Sequence, residues 1–338
     1  MLFSKSSQLM LRHSKKFKRK RVFFSGNIQD SFPIYLSTLK TKINFQKYSD
    51  YINFKKNNVK NINIYNNLLV SDDMVKNCDT IIYYWPKNKS EAQFQFINLI
   101  SCLPINTQIF IVGDNSSGIK SAPLILKKWI TLYKIDNAKH SILMTGLLER
   151  KKKFILEDFF KTHVWENFSI KSLPGVFGNK KIDEGSKLLV STFSKNITGK
   201  ILDVGCGTGF LSVSLLHRAP NVMITLIDNN IVALKCSEAT LDINKLSGRV
   251  LCSDFYSNIS EKFDLIISNP PFHDDLKVNF DIVKKIVCDS VKHLNFRGEL
   301  RFVTNSCFNY HFLLKKMFKK YFIITRTNKY KIYQAFLN

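Results

Sequence analysis

The chain lacks the cysteine spacings that close disulfide frameworks or hold zinc. Its seven cysteines, Cys78, Cys102, Cys206, Cys236, Cys252, Cys288 and Cys307, are scattered with no C-x-x-C pair, so neither metal nor disulfide is expected and a reducing cytoplasmic setting fits best. No run approaches the roughly 18 apolar residues that a membrane span needs. The basic stretch Lys15 to Arg21 is followed by no apolar segment, so no secretory leader is expected either. Arginine is also rare, at nine of the 51 basic residues. Together with frequent Asn, Ile and Phe this is the bias of an A+T-rich coding sequence. The net charge of +25 therefore permits a phosphate-rich partner without identifying one.

What is present is ample apolar material. Hydrophobic residues make up 45% of 338, with 28 Phe, enough for two compact domains and too much for long disorder. From Lys200 onward, short apolar runs alternate with helix-like stretches. The runs are Lys200 to Val204, Val222 to Asp228, Val250 to Cys252, Phe263 to Ser268, Glu299 to Thr304, Phe322 to Arg326 and Lys331 to Phe336. That alternation predicts an α/β doubly wound sheet ending in a hairpin.

The first half repeats the rhythm. Asp79-Thr-Ile-Ile-Tyr-Tyr-Trp-Pro86 lies over Asp264-Leu-Ile-Ile-Ser-Asn-Pro-Pro271, and Arg21-Val-Phe-Phe-Ser-Gly26 over Lys200-Ile-Leu-Asp-Val-Gly205. The pattern implies an ancestral duplication, with domains at 1–165 and 166–338. Chance likeness of two α/β units is the plain alternative. The copies differ where chemistry would live: Asn27, Ile28 and Gln29 follow Gly26 in place of a glycine loop, and Tyr84-Trp85-Pro86 replaces Asn269-Pro270-Pro271. The first domain is expected to be degenerate and catalytically dead.

In the second half, Asp203-Val-Gly205-Cys-Gly207-Thr-Gly209 follows a strand and opens a helix, the setting in which glycines let backbone approach a nucleotide-like ligand. Position 210 is Phe, which breaks the dinucleotide G-x-G-x-x-G fingerprint. The loop suits S-adenosylmethionine, with Asp203 and backbone holding the methionine part; an ordinary tight turn is the alternative. Asp228, ending the second apolar run, is placed to accept ribose hydroxyls or to cap a helix. Asp254, ending the third, is placed for the adenine or for a turn.

Asn269-Pro270-Pro271-Phe272 follows the strand Phe263 to Ser268. An exocyclic amine on a base is planar and poorly nucleophilic, because its lone pair is delocalised into the ring. Two rigid acceptors, the Asn269 side-chain oxygen and the Pro270 carbonyl, would localise that pair toward a methyl donor. Phe272 offers a face on which the base can stack. The reaction needs no metal and no covalent nucleophile, since most of the catalysis is positioning.

These residues resemble the bacterial ribosomal RNA small subunit methyltransferase C family over essentially the whole chain. The likeness rests on Leu11-Arg-His-Ser14, Cys78 to Lys89, Glu91-Ala-Gln-Phe-Gln95, Leu173-Pro-Gly-Val-Phe177, Leu202 to Gly207 and Ile266 to Asp274. The resemblance implies two tandem class I (Rossmann-like) methyltransferase domains, the first degenerate. It also implies S-adenosylmethionine-dependent N2 methylation of one guanine of 16S rRNA in the small ribosomal subunit, by a cytoplasmic enzyme expected to be a monomer. By the same resemblance Phe177 and Asp183 join the cofactor shell. Adenine-N6 or protein-glutamine methylation and a non-catalytic assembly factor are the competing readings.

Overall fold

The computed structural model describes residues 3–57, 60–271 and 276–338, the side chains of 276–279 excepted. Two compact units divide between Phe159 and Phe160. The division falls ahead of residue 165 because β8 (Lys161–Trp165) pairs antiparallel with β9 (Phe168–Ser172), and so belongs to the second unit.

The first unit contains β1 (Arg21–Gly26), β2 (Lys40–Asn44), β3 (Ile62–Tyr65), β4 (Thr80–Tyr84), β5 (Gln108–Asp114), β6 (Tyr133–Ala138) and β7 (Ser141–Leu147). They form one sheet in the order β3-β2-β1-β4-β5-β7-β6. The second contains β10 (Lys200–Val204), β11 (Met223–Asp228), β12 (Arg249–Cys252), β13 (Phe263–Ser268), β14 (Leu294–Asn305), β15 (Lys320–Arg326) and β16 (Tyr330–Phe336). Their order is β12-β11-β10-β13-β14-β16-β15. Strand for strand these are the same permutation. In each sheet all pairs are parallel except those made by the last strand of the chain order, β7 or β16, as the expected closing hairpin requires.

The central strands are buried along their length, which is why they read as continuous apolar runs rather than alternating ones. Each sheet is covered on both faces by its own core clusters. One detail fixes the alignment of the halves residue by residue. The Arg21 amide donates to Asp79 Oδ2 at 2.8 Å, and the Lys200 amide donates to Asp264 Oδ2 at 2.7 Å. The same carboxylate thus clamps the start of the same central strand in both units.

Candidate active site

The glycine loop joins β10 to the helix Phe210–Arg218, and its three glycines all take positive φ. Gly205 and Cys206 donate their amides to the Ile227 carbonyl at 2.8 and 3.0 Å, and Gly207 donates to Asp228 Oδ2 at 3.0 Å. The loop is therefore strapped to the end of β11. The three positions differ in what surrounds them. A Cβ at Gly205 would meet nothing within 4 Å, and one at Gly207 only the Phe177 carbonyl at 3.9 Å. At Gly209 it would lie 3.1 Å from Ser237 Cα, so this glycine serves close helix packing while the other two border open space.

Asp203 is 0% exposed. Its Oδ2 accepts from Ser212 Oγ at 2.7 Å, whereas Oδ1 is buried with no partner among the described residues. Burial pushes its carboxyl up to about 7; the Ser212 hydrogen bond opposes this and the charge of Asp228 adds to it. Asp228 accepts from Gly207 on one oxygen and from the Asn230 amide at 2.8 Å on the other. Burial raises it above the ordinary carboxylate range against those bonds. The helix Ile231–Ile243 is capped by Asn230 rather than by Asp228. Beyond β12, Asp254 takes its backbone into a turn with Ser257, and its carboxylate lies 3.6 Å from Lys285 Nζ.

Asn269 follows β13. Its neighbour Ser268 pairs in register with Val204, so Asn269 and Gly205 leave adjacent strand ends on the same edge of the sheet. Asn269 Nδ2 donates to Asp183 Oδ2 at 3.0 Å and to Ser186 Oγ at 2.6 Å, while its Oδ1 is buried and unpartnered among the described residues. Asp183 also caps the helix Glu184–Val190, accepting from the Ser186 amide at 2.9 Å. Gly185 is required between them: a Cβ there would lie 2.9 Å from Asp183 Oδ2 and 3.3 Å from the Tyr330 ring. The one carboxylate oxygen of Asp183 that the structure engages is thus given to Asn269 and its own helix. Phe177 is 41% exposed, with its carbonyl beside Gly207. Phe272 and His273 lie outside the described residues. Ser186 was not anticipated from the sequence; its only local signal was the Asp183-x-x-Ser186 cap spacing.

The corresponding edge of the first unit is closed. Phe24, 0% exposed, stands where Asp203 stands, and Tyr84 where Asn269 stands. Gly26 keeps a positive φ, but a Cβ there would lie 2.1 Å from the Tyr84 carbonyl, to which the Asn27 amide donates at 2.9 Å. Backbone fills what is open space at Gly205. The degenerate half has lost both its acid and its cleft.

Residues 167–334 match the family described as "Methyltransferase small domain", and residues 7–163 match "Methyltransferase small domain N-terminal". Over 336 residues the chain is 65% identical to the ribosomal RNA small subunit methyltransferase C of Buchnera aphidicola subsp. Acyrthosiphon pisum, covering 99% of each chain. The chain belongs to the ribosomal RNA small subunit methyltransferase C family. Its Escherichia coli K12 member is 39% identical over 335 residues, covering 99% of this chain and 97% of that one. The T. thermophilus 16S rRNA N2 G1207 methyltransferase, solved in complex with AdoMet and guanosine, superposes with a TM-score of 0.83 at 16% identity, covering 99% of this chain and 92% of that one. Two Rossmann-like methyltransferase domains are therefore the fold of this member of the family. Among the described residues no helix is long and apolar enough to cross a membrane, and no group of three His, Cys, Asp or Glu is placed to hold a metal.

Proposed function

We propose that this family member transfers a methyl group from S-adenosylmethionine to the exocyclic N2 of one guanine of 16S rRNA, corresponding to the G1207 for which the T. thermophilus enzyme is named, and acts as a monomer in the cytoplasm. The reading fits the edge of the second sheet. An unpartnered buried carboxylate oxygen at Asp203 and the open side of Gly205 and Gly207 are what a compact ligand bearing an ammonium and a nucleoside would use. Asp203 would take the ammonium, Asp228 the ribose hydroxyls and Asp254 the adenine, with Gly209 holding the loop's helix in place and Phe177 beside the loop. When bound, the sulfonium supplies an electrophilic methyl with a good leaving group.

The protein's share of the chemistry is orientation. Asn269 Oδ1 and the Pro270 carbonyl accept the two N–H bonds of the amine, which turns its lone pair out of the ring plane toward the donor. Phe272 stacks on the base, which must leave its helix or loop stack to reach the pocket. The proton departs after the methyl arrives, so no strong base is needed. One observation carries this reading: Asn269 has its amide nitrogen tied twice and its oxygen left without a partner among the described residues.

Asn269→Ala should keep S-adenosylmethionine binding by calorimetry and lose about 2–4 kcal/mol of transition-state stabilisation on 30S subunits, as other preorganised polar contacts do. Near-normal turnover by that variant would remove the mechanism. Label transfer to DNA or to a release factor instead of 30S subunits would remove the substrate.

A further inference from the structure

At the strand beginnings of the first unit lies a cavity of about 160 Å³, lined by Arg21, Lys40, Lys42, Lys76, Asn77 and Cys78. Four of these six are cations and none is an acid. Register explains the gathering. Arg21 opens β1 directly beside Lys40, which opens β2, and Lys42 lies two residues further along on the same face. Lys42 Nζ reaches across to the short helix Asp72–Val75, donating to the carbonyls of Asp73 and Lys76 at 3.1 and 3.0 Å, so Lys76 and Cys78 supply the other wall.

Two of the cations are fixed and two are open. Asp79 holds Arg21, taking Nη2 on Oδ1 at 2.6 Å and Nε on Oδ2 at 3.1 Å, and the guanidinium keeps donors to spare because it has five. Lys42 is fixed by its two carbonyls. Lys40 and Lys76 are exposed, and neither is in an ion pair among the described residues. Burial raises the Cys78 thiol, yet Lys42, Arg21 and Lys40 all pull it the other way, so the three cations share one small space.

The second unit separates this cluster from a general lysine bias. Along the aligned strands Lys200 answers to Arg21, but Met223, Thr225 and Glu261 stand at the positions of Lys40, Lys42 and Lys76, and Phe263 at that of Cys78. Glu261 is also bonded to Arg249. A coding bias acts on both copies, and only the first carries the cluster.

Size and setting name the ligand. The cavity is smaller than the ~300 Å³ at which small-molecule sites begin, so it takes one anionic group and not a whole nucleotide. Cations continue along the rim on either side, with Lys60 ahead of β3 and Lys20 ahead of β1, bonded to Gln108 at the start of β5. A free anion has no use for such a row, whereas a chain of phosphates does. We infer that this cavity seats one backbone phosphate of the RNA substrate, with Lys40 and Lys76 supplying mobile charge and Arg21 the fixed donors. The inference rests on the proposed function's RNA substrate.

The test uses the full chain. One variant carries Lys40→Gln and Lys76→Gln, a second carries Lys40→Arg and Lys76→Arg, and a control removes two exposed charges beyond the other end of β4 through Lys87→Gln and Lys89→Gln. Each is measured for binding of a labelled single-stranded oligoribonucleotide across a salt series, for KM on 30S subunits and for S-adenosylmethionine binding. Alkylation of Cys78 by iodoacetamide is followed by peptide mass spectrometry with the oligoribonucleotide or inorganic phosphate present. The glutamine pair should bind RNA about tenfold more weakly, as lost charge-assisted hydrogen bonds imply, with a salt slope flatter by about 1.4, two contacts at ~0.7 each. Its KM should rise while cofactor binding stays. The arginine pair should bind as wild type does, and RNA should slow Cys78 alkylation in both of these but not in the glutamine pair. Wild-type RNA affinity in the glutamine pair, an equal loss in the control, or an arginine pair as weak as the glutamine pair would overturn the inference. So would a Cys78 that inorganic phosphate shields and RNA does not, which would make the cavity a site for a free anion. If RNA shields Cys78 through these lysines yet no 30S subunit takes label, the phosphate seat stands and the proposed reaction falls.

Discussion

A carboxamide has an accepting end and a donating end, and which of them faces the cleft decides what Asn269 can do. Asp183 and Ser186 hold the donating end, so the accepting end is left without a partner among the described residues, and it is the end that the proposed mechanism uses. Asp183→Asn keeps a competent helix cap but offers donors as well as an acceptor, which lets the Asn269 amide turn over. Turnover should fall about ten- to hundredfold, as for other small misplacements of a catalytic group, and by more than any loss of cofactor affinity. Ser186→Ala, which removes a neutral partner, should cost less; stopped-flow and calorimetry separate the two effects. Asp203 yields a different prediction. Its folded carboxyl titrates near 7, above its unfolded range, so the folded apoprotein holds a proton that the unfolded chain has released. Stability from this group is fully present below the unfolded carboxylate range and is lost as pH rises through about 7. Calorimetric melting should show that fall in wild type and a shallower one in Asp203→Asn. At this scale the motif residues could be found from the sequence because they are neighbours along the chain. Ser186 could not, since it meets Asn269 across 83 positions.

Among the elements, the glycine loop holds two kinds of glycine under one pattern. Gly209→Ala puts a methyl against Ser237 at a positive φ and should destabilise the fold by about 1–3 kcal/mol. Gly205→Ala meets no neighbour and should cost less stability while weakening cofactor binding; urea unfolding beside calorimetric titration distinguishes them. The spacing alone made the three look equivalent, because only the packing of the helix Ile231–Ile243 against the loop separates them. The strands of the second sheet could be read from their apolar runs, buried in β10, β11 and β13 and largely open to solvent in the edge strand β15. The β8–β9 hairpin could not: it turns at Glu166, with φ +50, and lacks the Asn-Gly or Asp-Gly signal that announces such a turn. The run expected at Phe322 to Arg326 begins two residues earlier as a strand, at Lys320, and the helix before it ends at Met317.

For the molecule as a whole, two units with separate cores should respond separately to a ligand that one of them binds. S-adenosylmethionine at about a hundred times its Kd should raise the unfolding free energy of the second unit by about 2.7 kcal/mol. Scanning calorimetry should then show one transition moving and one staying. The repeat of one strand order was visible in the sequence through the Asp79 and Asp264 segments, but the closure beside Gly26 was not, since it depends on where the Tyr84 carbonyl lies.

The paired clamps of Asp79 on Arg21 and Asp264 on Lys200 sit at the strand beginnings, whereas Tyr84 and Asn269 differ at the strand ends. The halves thus share the foundation of the sheet and part company only at the rim, so rebuilding that rim leaves the strand order beneath it standing.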